Sequence, residues 1–355
     1  MCMTDPYHHI YTGDIFQQSE CIWHENNLLD FFRSSLKSLG YHSVSDSNKV
    51  WRRGDQTVVV CLVDDYTTCA ERFDVGLPYI FDRNTTVITD THVQTPTQYR
   101  VCELPPSFFG IYAHVPEHKW DPKRRFTLGI NRLDSKRLLM FLELMLRSEY
   151  VGTDLDYINF NCWRWGGDNE TPQGLKQNFD NQYQELESRY HTVYDEIRNK
   201  IGNSMPYVNH SLTQEQAHTS SLLNIVMETY SADNTIALSE KTFRALCLPV
   251  PWQLYSGRNT VARLHSLGFD TLQDIITHRY DSMIENRTAA YGDKMVDFLF
   301  EATENAQSIE THNFDAVARR CEQAAEHNQQ LLAVMRYNWP RDFARWWPQV
   351  LEHIQ

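Results

Sequence analysis

The chain has 355 residues, 41% of them apolar and 22% charged, a balance that fits soluble globular domains and excludes low-complexity or fibrous architectures. No stretch approaches the roughly 20 apolar residues a membrane helix needs, and residues 1–15 lack the basic and apolar segments of a signal peptide. The formal net charge of −13 argues against indiscriminate nucleic-acid binding. A cytoplasmic protein without a membrane partner is expected.

An amphipathic helix is predicted over 28–39, closed by Gly40, where a left-handed cap is favoured. Residues 57–63 form a β-branched apolar run, the pattern of a buried parallel strand, and end in Asp64 and Asp65. A second such strand over 86–89 ends in Asp90. Ligands of open α/β sheets collect at the carboxyl ends of strands, so these acids are candidates for chemistry. Further on, a strand over 125–130 runs into Asn131-Arg132-Leu-Asp-Ser-Lys136-Arg137, followed by a helix over 138–146 and a strand over 157–160. That is a βαβ unit with a basic turn at its ligand-facing end. The same region is the one positive island of an acidic chain, with Lys119, Lys123, Arg124, Arg125, Arg132, Lys136, Arg137 and Arg147.

A long amphipathic helix over 175–201 stops at Gly202, and the polar stretch to 220 reads as a junction. Residues 222–227 form a clean buried strand, and helix and strand patterns continue to about 308. A last helix over 314–335 leads into an aromatic tail containing Tyr337, Trp339, Trp346 and Trp347. Alternation through both halves predicts an α/β protein with two Rossmann-like domains. The boundaries read as 1–205, 206–312 and a C-terminal segment over 313–355. The eight cysteines show no CxxC pair and no zinc spacing, and are expected as small core residues.

The chemistry concentrates around 228–242. Glu228 ends a strand, a polar loop follows, and Ser239-Glu240-Lys241-Thr242 opens a helix. A helix start offers free N–H groups and a positive dipole end to a diphosphate, and Lys241 adds a full charge beside them. Glu228 or Glu240 can accept hydrogen bonds from ribose or sugar hydroxyls. Glu228, the SEKTF run at 239–243, the stretch PVPWQLYSGRNTVARLHSLGFDT at 249–271 and Ile275 to Asp281 together resemble the donor half of a glycosyltransferase group. That group includes the α-1,3-fucosyltransferases and transferases of tailed phages and large viruses.

The resemblance implies a GT-B fold, two Rossmann-like domains facing across a cleft with a C-terminal helix packing back on the first. It implies a nucleotide-sugar donor, a UDP-sugar favoured, and donor contacts from Glu228, Ser239, Glu240, Lys241 and Thr242. In the same group an arginine-bearing turn reaches the donor pyrophosphate. Arg137 is the first choice for that role here and Arg132 the second, since a guanidinium grips phosphate oxygens bidentately. An inverting transfer needs a base, and the resemblance to GT-B enzymes implies that it comes from the first domain. Asp14, in the turn Thr12-Gly13-Asp14, leads the candidates, with Glu20, Asp64 and Asp65 behind it.

The phage likeness makes 5-hydroxymethylcytosine in duplex DNA the favoured acceptor, reached through a basic, aromatic-lined cleft of Lys119, Trp120, Lys123, Arg124 and Trp163-Arg164-Trp165. A glycan or protein acceptor, or a non-catalytic interaction protein, are the alternatives. Asp154-Leu-Asp156 matches a metal-binding DxD, yet the pair supplies too few oxygen ligands, and no metal or other cofactor is expected.

Overall fold

Parallel strands in this chain fall into two sheets whose carboxyl edges are tied together. The computed structural model describes residues 21–44, 50–62, 83–94, 98–108, 119–130, 140, 158–160, 218–228, 235–284 and 293–355. The strands are β1 (His42–Ser43), β2 (Val50–Arg53), β3 (Gln56–Cys61), β4 (Thr85–Thr89), β5 (His92–Val93), β6 (Arg100–Glu103), β7 (Arg124–Ile130), β8 (Ile158–Phe160), β9 (Ser221–Met227), β10 (Thr235–Ile236) and β11 (Trp252–Tyr255). The helices are α1 (Cys21–Ser38), α2 (Glu240–Cys247), α3 (Thr260–Ser266), α4 (Asp293–Thr311) and α5 (Phe314–Ile354), with a 3₁₀ turn over Arg279–Ser282. No helix among the described residues is long and apolar enough to cross a membrane.

The first sheet runs β1-β2-β3-β4-β6. Its β1, β2 and β3 pair antiparallel, while β3, β4 and β6 pair parallel. All five residues of β4 and all but the first of β3 are buried, as their unbroken β-branched character requires of strands covered on both faces. The second sheet runs β11-β9-β7-β8 and is parallel throughout. Every residue of β9 is buried. Because β7 and β8 bond to β9 and not to the first sheet, this sheet spans the junction that the sequence places at 205.

Chain order 7-8-9-11 against spatial order 8-7-9-11 means that successive connections leave in opposite directions from between β7 and β9. In open α/β sheets such a switch point opens a crevice at the strands' carboxyl ends. A two-residue antiparallel pair, β5 with β10, joins the loop after β4 to the segment after β9.

Helix α1 buries Leu28, Phe32 and Leu36 at four-residue spacing. It closes at Gly40 (φ +83), with Tyr41 N–H donating to Leu36 O and Gly40 N–H to Lys37 O, the paired bonds of a Schellman cap. Gly268 (φ +93) ends α3 by the same device. Helix α5 runs 41 residues, through Pro340 and Pro348 and through the whole aromatic tail. At about 1.5 Å per residue it is a strut of roughly 60 Å. Its first half binds the second sheet's surroundings: Asn328 bridges Leu246 O and Asp270, and Arg320 clasps Asp270 and Asp274. Its second half buries Trp339, Phe343 and Trp347, and Phe343 and Trp347 lie edge-on to Phe31 of α1. Tyr41 and Arg53 then hydrogen-bond the Ile354 carbonyl.

Cys61, Cys102, Cys247 and Cys321 are buried. Burial pushes the Cys102 thiol up to about 11 and the Cys247 thiol to about 12, so both behave as inert core groups. The predicted helices over 138–146 and 175–201 lie outside the described residues, Met140 excepted.

Candidate functional site

Strand β9 delivers Glu228 to the carboxyl edge of the second sheet, where its N–H still donates to Tyr255 O and continues the ladder. The side chain is buried, at 5% exposure. Its carboxylate takes the Ser239 N–H at 2.9 Å, the Ser239 hydroxyl at 2.6 Å and the Thr242 hydroxyl. Ser239 is the N-cap of α2, and its Oγ accepts from the Lys241 N–H. Glu228 therefore holds the start of α2 against the end of β9, an acid placed where the helix dipole favours it. The hydrogen-bonding capacity that the sequence assigns to a sugar or ribose is taken up largely within the protein. Of the same run, Glu240 is exposed and Lys241 half-buried.

Strand β11 ends beside it in Ser256-Gly257-Arg258-Asn259, with Asn259 in the left-handed region at φ +60. Thr260 donates its hydroxyl to Gly257 O, and the Asp281 carboxylate accepts the N–H groups of Val261 and Ala262, capping α3 from a distance in sequence. Burial raises the Asp281 carboxyl above its ordinary value, while those amides and the Lys294 ammonium pull the other way. Lys294 itself is fully buried, donates to Ser256 O at 2.9 Å and lies 5.9 Å from the Tyr255 ring centre. The backbone loop at the end of β11 is thus set by one buried acid and one buried base.

The first sheet contributes its own carboxyl edge. Asp90 is buried just past β4, and the Thr91 N–H donates to Thr89 Oγ1. His92 Nδ1 lies 2.8 Å from Glu103 Oε2 at the end of β6, and Arg263 of α3 lies 3.4 Å from the other Glu103 oxygen. Gln94 donates to Arg258 O and accepts from Asn259 Nδ2. His92 is the strand partner of Ile236, three residues before Ser239. The ends of β4, β6, β9 and β11 and the start of α2 consequently surround one region.

Among the candidate residues, Glu228, Ser239, Glu240, Lys241 and Thr242 are brought together there. Asp14, Asp64, Asp65, Arg132 and Arg137 lie outside the described residues, as do Glu20, Asp154, Asp156 and Trp163 to Trp165; β7 ends at Ile130, just ahead of the arginine turn.

Lys119, Lys123 and Arg124 are not part of the assembly. Arg124 is the partner of Ser221, the first residue of β9, and Lys123 N–H donates to Ser220 O. They stand at the amino end of the sheet, about 20 Å along a seven-residue strand from Glu228. Lys119 and Lys123 are exposed, Lys123 against Asp121 at 3.3 Å. Trp120 does not line an open cleft either: it is buried, stacks on Phe314 at 4.7 Å and donates its indole N–H to Ser221 O. Of the expected basic, aromatic cleft, the described part is thus an exposed turn beside a core tryptophan whose buried N–H has found a carbonyl.

Residues that sequence reasoning passed over are His92, Glu103, Asp281 and Lys294. Asp281 closes the run 275–281 that carries the family likeness, whereas nothing in spacing links His92 to Glu103. Comparison of the chain with family models, with curated proteins and with solved structures gave no match.

Proposed function

We propose that this protein is a glycosyltransferase that moves a sugar from a nucleotide-sugar donor, a UDP-sugar first, to a hydroxyl acceptor. One observation carries the proposal: the α2 start, with Glu240 exposed, Lys241 half-buried and Glu228 fixing it from behind, sits where the carboxyl ends of the parallel strands of two sheets converge. Helix-start amides and an ammonium suit the diphosphate that must depart with the electron pair of the broken sugar–oxygen bond. Arg137, or Arg132, follows β7 in sequence from the same edge of the same sheet and is proposed to meet the diphosphate from the other side. A GT-B arrangement is the architecture this proposal implies, with no metal or other cofactor.

The acceptor proposed first is 5-hydroxymethylcytosine in duplex DNA, on the likeness to phage enzymes alone. The net charge of −13 and the location of Lys119, Lys123 and Arg124 away from the edge favour a glycan or protein hydroxyl as the competing acceptor. A melting-temperature screen against nucleoside diphosphates and nucleotide sugars tests the donor site, because a ligand that binds only the folded state raises the melting point by mass action. A clear rise with UDP or GDP compounds is expected. A flat response from well-folded protein removes the transferase and leaves a non-catalytic interaction protein.

A further inference from the structure

Resting on that transferase proposal, the geometry points to His92 as the base that takes the acceptor's proton, with Glu103 as the residue that positions it. The first domain must supply this base in an inverting transfer, and the sequence offers only scattered acids for the task. The structure places a histidine–carboxylate pair at the required edge instead. His92 stands three residues past the end of β4, and Glu103 is the last residue of β6, so both come from carboxyl ends of parallel strands. The pair is linked at 2.8 Å through Nδ1, with side chains 31% and 26% exposed.

An ionised carboxylate can only accept, so the proton of neutral His92 sits on Nδ1 and the lone pair on Nε2. No partner for Nε2 occurs among the described residues. His92 is paired with Ile236, and Ser239 follows three residues later. That puts the imidazole within about 10–15 Å of the α2 start, from strand spacings alone. The charged group in contact with it is Glu103 on β6, which in turn meets Arg263 on α3, and Asp90 lies two residues before His92 in the chain. Arg263 fixes the second Glu103 oxygen and leaves the first for the imidazole.

In the step, the acceptor oxygen attacks the anomeric carbon as Nε2 takes its proton. The bond from that carbon to the phosphate oxygen breaks, and its electron pair leaves with the nucleoside diphosphate at Lys241 and the α2 start. The imidazolium so formed is stabilised by Glu103 and returns its proton to solvent. Water in place of the acceptor gives donor hydrolysis by the same path, which allows a test without knowing the acceptor.

UDP-glucose and GDP-fucose serve as probes, with release of UDP or GDP and the donor-induced melting shift measured on the full chain. His92→Ala and His92→Gln are expected to lower the release rate at least about 100-fold, the usual worth of a positioned base. The melting shift and KM should stay at the wild-type level, and added imidazole should restore part of the rate in His92→Ala. Glu103→Gln should lower kcat about tenfold or more with KM unchanged. Release within threefold of wild type in both His92 variants, about the spread of ordinary variation, overturns the base assignment and leaves the transferase standing. Loss of the melting shift together with the rate makes His92 a structural latch and overturns it likewise. Wild-type protein that neither shifts nor releases nucleotide fails at the transferase itself.

Discussion

Glu228 shows how a buried residue can shape a candidate site from behind. Three donors converge on its buried carboxylate from a single helix start, so its removal leaves the hydroxyls of Ser239 and Thr242 without their acceptor. Glu228→Ala is expected to destabilise the fold by about 1–3 kcal/mol, the usual penalty for stranded buried donors, with a lower denaturant midpoint as the measurement. Lys241 behaves differently because its side chain is only half-buried. Lys241→Ala and Arg137→Ala should abolish transfer while the melting temperature stays within a degree or two of wild type. Near-normal turnover in either variant would take that residue out of the donor site. In sequence, Glu228 and Lys241 carry the same weight; only burial separates the acid that holds the helix start from the base proposed to serve the donor.

At the scale of elements, a relay of three groups docks β11 on the 3₁₀ turn. Leu254 N–H donates to the Tyr280 hydroxyl, which lies 3.2 Å from His278 Nδ1, and His278 Nε2 lies 3.0 Å from Thr271 O. A carbonyl can only accept, so Nε2 carries the proton, and in the neutral ring Nδ1 accepts from the Tyr280 hydroxyl. Burial holds the imidazole below its ordinary 6.5, against the opposing pull of the Thr271 carbonyl and Glu301. The unfolded chain therefore binds this proton first as pH falls. The stability this group contributes is complete above pH 6.5 and is lost as pH drops through the folded value. Melting temperature should decline as pH falls below about 6.5, and His278→Gln should flatten that slope.

Helix α5 was only half legible for a related reason. Pro340 and Pro348 interrupt the sequence pattern and make the tail look like a separate aromatic segment. Yet Trp339, Phe343, Trp347, Val350 and Ile354 recur three or four apart, and burial of that stripe outweighs the two missing donors. Trp347→Ala should cost about 3–5 kcal/mol of stability.

For the whole molecule, the strands at 56–61, 85–89, 124–130 and 221–227 were readable because apolar β-branched runs bounded by polar turns have little else to be. Their arrangement was not, since one sequence carries no record of which strands pair. The pairing of β7 with β9 moved Lys119, Lys123 and Arg124 to the far end of a sheet, and that of β5 with β10 brought His92 towards Ser239. Among the described residues no three His, Cys, Asp or Glu side chains gather as a metal site. Transfer is expected to survive excess EDTA. Full loss that manganese restores would instead bring in Asp154 and Asp156 as ligands.

The bond from Tyr41 to the Ile354 carbonyl joins residues 313 positions apart. During synthesis, α1 leaves the ribosome with its Phe31 and Phe32 rings bare, and the part of α5 that covers them follows about 310 residues later. At common elongation rates the interval is on the order of tens of seconds, far longer than a helix needs to form. The apolar face of α1 therefore waits exposed, a natural client for holdase chaperones, until that helix arrives.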